Sequence, residues 1–202
     1  RERQAAYAAM KDLEPVTRDG QRIGLMMNAG LRDDIALLNL TGADGVGLMR
    51  LTRSDKLNAL DPEMFDDIVA AGAALHAMPG LRCLVIAGEG RGFCAGLDLA
   101  LMALLTGSHT MDLRERTHGA ANQLQQAAMA WRTLPVPVIA AIHGVCFGGG
   151  LQLASGADIR IAAPDAQLSV RELHWGITPD MTGTFMLTRL VRNDVARELT
   201  YT

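Results

Sequence analysis

Apolar positions along this chain follow two periods, and the switching between them outlines the elements. Phe65, Ile68, Val69, Gly72, Leu75 and Met78 recur at helical spacing behind Asp61-Pro62. Asp61 suits the cap, and Pro62 suits the first helical position, where no N–H is needed. Pro79-Gly80 marks the stop. Residues 82–87 hold the run Cys-Leu-Val-Ile and read as a buried strand of a mostly parallel sheet. Residues 138–142 read the same way, and 158–162 as a short strand ended by Pro164. A long helix is expected over 113–134, stopped by Pro135 and Pro137, with shorter helices over 151–155, 183–191 and 195–201. Strands alternating with helices imply an α/β fold.

The first 43 residues give a weaker pattern. A helix is expected over 2–13, before Pro15, and a strand over 35–40. Gly42-Ala-Asp-Gly45 is a turn signal, and 46–51 reads as a second strand, so the two are expected to form a hairpin. Residues 1–43 are thus taken as an N-terminal extension and 44–202 as one core. The helix at 195–202 has nothing after it to cover its apolar face, and a truncated protein is the expectation.

Composition narrows the function. Of 202 residues, 49% are hydrophobic and 20% charged, which suits one globular core. A net charge of −3 without Lys/Arg clusters gives no support for nucleic acid or an anionic membrane as partner. No apolar run reaches the ~18 residues of a membrane span. Cys83, Cys94 and Cys146 are odd in number and lack metal-type spacing, so they are expected as reduced core residues in a cytoplasmic protein, with no metal site. The 11 methionines suggest a pliable core or pocket.

Two glycine loops hold the candidate chemistry, at 93–98 and 147–151. In the second, Phe147-Gly-Gly-Gly-Leu-Gln152 lies between a buried strand and a helix. Glycine allows close approach to a ligand, and a helix N-terminus leaves N–H groups unpaired. Such a site favours an anion or a developing oxyanion. A tight turn that needs glycine only for packing is the competing reading. The first loop contains Gly88-x-Gly90-x-Gly92. A nicotinamide-binding reading of it lacks the full glycine pattern and the acidic residue that would hold a ribose.

Four segments in order resemble the enoyl-CoA hydratase/isomerase (crotonase) superfamily. They are Arg53-Ser-Asp-Lys-Leu-Asn-Ala-Leu60, Gly90-Arg-Gly-Phe-Cys-Ala-Gly-Leu-Asp-Leu99, residues 137–153 with Ala-Ile-His-Gly and Phe-Gly-Gly-Gly, and Ala157-Asp-Ile-Arg160 leading to Ala166-Gln-Leu-Ser-Val-Arg-Glu172 and Gly176. The resemblance covers about residues 44–202 and implies a crotonase-like superhelix of ββα units, usually trimeric or a dimer of trimers. The C-terminal helical region usual in the family is expected to be missing. The implied ligand is an acyl-CoA thioester, with coenzyme A as part of the substrate and no separate cofactor. The thioester oxygen would sit between the backbone N–H groups of Leu97 and Gly149. Lys56, Leu57 and Ala59 would line the CoA site, with Ala95, Gly96, Asp98, Leu99 and Gly148.

Stabilising an enolate leaves a proton to be moved by a carboxylate. The resemblance maps one family glutamate to Glu172 and the other to Gln152, a neutral amide that orients but does not carry a proton. Asp180 lies eight residues after Glu172, as in dienoyl-CoA isomerases of the superfamily; a helix cap is its alternative role. Three readings follow: hydration or double-bond isomerisation of an enoyl-CoA, a non-catalytic acyl-CoA-binding paralogue, and dienoyl-CoA isomerisation by Glu172 and Asp180. Asp98 is expected to hold its own loop through backbone N–H groups. His143 is expected as a satisfied core histidine. His174 and Trp175 are read as pocket-lining or packing residues.

Overall fold

The computed structural model describes residues 27–29, 45–101 and 112–202; the helix expected over 2–13 and the strand over 35–40 lie outside them. The main sheet is parallel throughout. Its strands are β1 (Met27–Ala29), β2 (Val46–Leu51), β3 (Cys83–Gly88), β4 (Val138–Ile142) and β6 (Ile159–Ala162), in the order β1-β2-β3-β4-β6. A second parallel sheet pairs β5 (Val145–Phe147) with β7 (Gln167–Ser169). Single parallel bridges, Leu60 to Leu97 and Cys94 to Cys146, extend this second row.

The two rows share one rhythm. Three passes of the chain each lay a strand in the main sheet, then a short extended piece in the second row, then a helix or turn. After β2 and Leu60 comes α1 (Pro62–His76); after β4 and β5 comes α3 (Gly149–Ser155); after β6 and β7 comes a 3-10 turn (Arg171–Trp175). This is the ββα repeat implied by the resemblance.

Asp61 caps α1 as expected, accepting the Met64 N–H at 2.9 Å, with Pro62 at the first helical position. Such a cap stabilises by about 1 kcal/mol. The core lies between the main sheet and its helices, where Leu84, Ile86, Val138, Ala140, Phe65 and Trp131 are sealed from solvent. Cys94 and Cys146 are also fully buried and face each other across their bridge. Burial pushes the Cys94 thiol up to about 12 and raises that of Cys146 as well. Among the described residues, no helix is long and apolar enough to cross a membrane.

Two expectations fail. The hairpin at β2 does not form, because β2 has parallel neighbours on both edges, β1 and β3. The helix expected over 113–134 is cut to α2 (Gln123–Arg132). Asn122 is extended and accepts the Gln125 N–H at 2.9 Å, while the Gln125 side chain accepts the Asn122 N–H at 3.1 Å. This capping box starts the helix ten residues later than apolar spacing alone suggested. The chain ends with α4 (Gly183–Leu190) and α5 (Asn193–Tyr201), the latter holding the Val170 N–H through the Leu199 carbonyl at 2.6 Å.

Candidate active site

Residues 53–60 fold into a tight turn in which Leu57 and Asn58 are both left-handed, at φ 52° and 56°. Asparagine accepts this conformation readily; leucine rarely does. The turn zips onto the first glycine loop. Ala95 N–H donates to Leu57 O at 2.9 Å, Leu60 N–H to Gly96 O at 2.7 Å, and Asp98 N–H to Leu60 O at 2.9 Å. In a parallel bridge of this kind the Leu97 N–H points to the opposite edge. On that edge lies Gly149, the first residue of α3, whose N–H has no carbonyl one turn back. A Cβ on Gly149 would lie 3.8 Å from Leu97 N. Gly96 (φ +96°) permits this approach, since a Cβ there would stand 2.8 Å from Phe147 O and 3.4 Å from Gly149 N. Both residues line a cavity of about 380 Å³. Two N–H donors side by side in a cavity can hold an oxygen that gains negative charge.

Two polar side chains brace this arrangement. Asn58 is fully buried, and its Nδ2 donates to Glu89 O and Gly92 O, both at 2.9 Å, and to Phe93 O at 3.2 Å. Arg53 Nη1 donates to Asp98 Oδ2 at 2.6 Å and to Ala59 O at 2.9 Å. Asp98 Oδ1 accepts the Ala100 N–H at 2.9 Å, the loop-holding role expected of it. The hydrogen bond from Arg53 holds the Asp98 carboxyl below its usual range. The sequence reading gave no role to the side chains of Asn58 and Arg53. An Asn inside Leu57-Asn-Ala-Leu60 was the available signal, because a polar side chain there must find partners.

The opposite wall holds the carboxylates. Glu172 lies on the 3-10 turn and is 6% exposed. Gln152, equally buried on α3, donates from Nε2 to Glu172 Oε1 at 2.5 Å and accepts the Gly183 N–H on its Oε1 at 2.8 Å. A backbone N–H only donates, so the Gln152 amide has one orientation. Among the described residues, Glu172 Oε2 is buried without a hydrogen-bond partner. Its carboxyl lies beside Gly148, where a Cβ would stand 3.4 Å from Oε1. Burial raises the pKa of Glu172; the Gln152 N–H opposes this, and the charge of Asp180 adds to it. Burial likewise raises Asp180.

Asp180 is not a helix cap. The cap of α4 is Thr182, with no side-chain bond, and the Asp180 residue lines the cavity instead. The chain turns through Thr182 (φ +80°) before the helix starts, so Asp180 stands too early to reach its first N–H groups.

The cavity therefore gathers Ala95, Gly96, Leu97, Gly148, Gly149, Gln152, Glu172 and Asp180. Lys56, Leu57, Ala59, Asp98 and Leu99 lie outside it, on the turn and ladder that support the loop, with Lys56 and Leu99 exposed. Trp175 lines the cavity, whereas His174 borders a separate hollow beside α5. His143 is only half-buried and meets Gly90 O at 3.1 Å through Nε2, so it clamps a loop and is not a core residue. Met181 lines the cavity as the methionine content suggested, joined by Leu113 and Leu124. Among the described residues, no group of three His, Cys, Asp or Glu could hold a metal ion.

The sequence profile described as enoyl-CoA hydratase/isomerase matches residues 41–202. The chain belongs to the enoyl-CoA hydratase/isomerase family. A probable enoyl-CoA hydratase of Bacillus subtilis is 39% identical over 142 residues, covering 70% of this chain and 53% of that protein. A mitochondrial Delta(3,5)-Delta(2,4)-dienoyl-CoA isomerase of Dictyostelium discoideum is 30% identical over 156 residues, covering 75% and 53%. The crystal structure of a putative enoyl-CoA hydratase from Streptomyces coelicolor superposes with a TM-score of 0.67 at 38% identity, covering 78% of this chain and 56% of that one. The fold is crotonase-like, and the chain spans about half the length of these relatives.

Proposed function

We propose that this chain forms the enolate-stabilising part of an acyl-CoA enzyme, and that it moves a double bond in preference to adding water. The Leu97 and Gly149 N–H groups receive the thioester oxygen, and each such donor is worth roughly 3 kcal/mol in the transition state. Glu172 takes a proton from the α-carbon. Asp180 returns a proton to the γ-carbon of a 3-enoyl thioester, or further along a conjugated dienoyl chain. The double bond moves into conjugation, no water is consumed, and the two carboxyl groups exchange their proton before the next turnover.

The observation that carries this reading is the locked amide of Gln152. It offers Glu172 an N–H and has no proton to transfer, so the second proton carrier of a two-acid hydration is not at that position. The same N–H favours the charged form of Glu172, which suits a base. Burial raises Asp180 against the opposing hydrogen bond of its own backbone, and among the described residues no side chain donates to its carboxyl, which suits an acid. A trimeric or hexameric assembly goes with this reading.

The whole protein, incubated with crotonyl-CoA, 3-enoyl-CoA and 3,5-dienoyl-CoA, should isomerise one of the last two faster than it hydrates the first. Efficient hydration of crotonyl-CoA that survives Gln152→Ala would reverse the preference. Thioester binding with no α-deuterium exchange would mark an acyl-CoA-binding protein without catalysis.

A further inference from the structure

We infer that Gln125 is a positioning residue for Asp180, coupling the apolar wall of the cavity to that carboxyl group. The inference rests on the proposed double-bond shift. Gln125 lies on the first turn of α2, and its side chain is used at both ends. Oε1 accepts the Asn122 N–H at 3.1 Å, and Nε2 donates to the Asp180 carbonyl at 3.0 Å. Asn122 in turn donates from Nδ2 to Leu113 O at 2.8 Å. One cap thus ties together the segment carrying Leu113, the helix carrying Leu124 and the loop carrying Asp180, all of which line the cavity. Three residues further along, the Gly183 N–H is held by Gln152. The 180–183 loop is therefore pinned by a glutamine at each end. Gln152 sets the end that faces Glu172, and Gln125 sets the end that bears Asp180.

Substitution can separate the two uses of Gln125. Glutamate is a good residue at the third position of a capping box. Gln125→Glu keeps an oxygen for the Asn122 N–H, removes the donor to Asp180 O, and sets a carboxylate against that carbonyl. Three quantities are read on the whole protein: thermal unfolding, α-carbon deuterium exchange of a saturated acyl-CoA, and conversion of 3-enoyl-CoA to 2-enoyl-CoA.

The expected result is an unchanged Tm, near wild-type α-exchange, and a kcat for the shift about fivefold lower, on the scale of one lost hydrogen bond. In an Asp180→Asn background the change at 125 should have no further effect on the shift, since coupled sites are not additive. Gln125→Met, which loses both bonds, should lower Tm as well. Equal shift rates in Gln125→Glu and wild type would overturn the inference alone. So would a loss that persists unchanged in the Asp180→Asn background, or one in which exchange, shift and Tm fall together. Absence of α-exchange in the wild-type protein would instead overturn the underlying reading, and this inference with it.

Discussion

The two walls of the cavity are built from different materials. On the wall proposed to hold the thioester oxygen the candidate groups are main-chain N–H groups, and every residue of α3 is buried. On the carboxylate wall the candidate groups are side chains, and they stand among Leu173, Trp175 and Ile177, all exposed. The first wall is fixed by the sheet registers that bring loops 93–98 and 147–151 together. The second hangs on a few side-chain bonds through Gln152 and Gln125. A function written in main-chain atoms changes only when the backbone moves, whereas one written in side chains can drift by single substitutions. Gln152, standing where the family resemblance implies an acid, belongs to the second kind.

The largest expected effect comes from the carboxylate wall. Glu172→Gln should lower kcat by roughly 10²- to 10⁴-fold, the usual weight of a general base. It should also raise Tm at neutral pH. The folded pKa of Glu172 lies above its unfolded value. Its favourable protonated state is therefore fully kept below the unfolded pKa and is lost as pH rises through the folded pKa. The neutral amide removes that loss, so thermal melts of the variant against pH should be flatter than those of wild type. A fall in Tm would show that the wall is held by the charge.

Gly96→Ala attacks the donor wall and should cost about 10²-fold or more in kcat, with Glu172 untouched. The new Cβ pushes against Phe147 O and separates the two N–H groups. Circular dichroism must show the fold retained for the comparison to hold. Asn58→Ala should cost about 2–3 kcal/mol of stability in urea melts, because three carbonyls lose their buried donor. The smallest change separates the walls most cleanly. Gln152→Ala removes the N–H that favours ionised Glu172, so the acid limb of kcat/KM should move to higher pH, with a several-fold lower rate near that limb. A limb that stays in place would make Asp180 the base and reverse the two roles.

The same contrast explains what the sequence made legible. Strand runs and the Asp61-Pro62 start are local patterns, and β3, β4 and α1 follow them. The glycine loops and Glu172 were readable through ordered motifs and residue type. The start of α2 was not, because Asn122 and Gln125 satisfy each other's backbone and override an apolar periodicity that runs on from 113. The short β5 and β7 were invisible for another reason: three residues each, they are strands only because they lie beside one another. The braces at Asn58, Arg53 and Gln125 act on partners 31 to 55 residues away, and no spacing rule reports such distances. Asp180 was left between a cap and an acid, and the left-handed turn at Thr182 removes the cap.

Cys94 and Cys146 lie in the second row, under the donor wall, and their consequence is practical. Thiolates alkylate and thiols barely do, and two sealed thiols with raised pKa values stay silent towards a labelling reagent near neutral pH. Burial raises the Cys83 thiol as well, but this half-buried residue of the main sheet is open to reagent and is labelled and blocked first. Every later adduct then records a moment when the second row came apart. Nature has left two dark sensors beneath the loops, and timed alkylation followed by mass measurement would turn them into a clock for local opening.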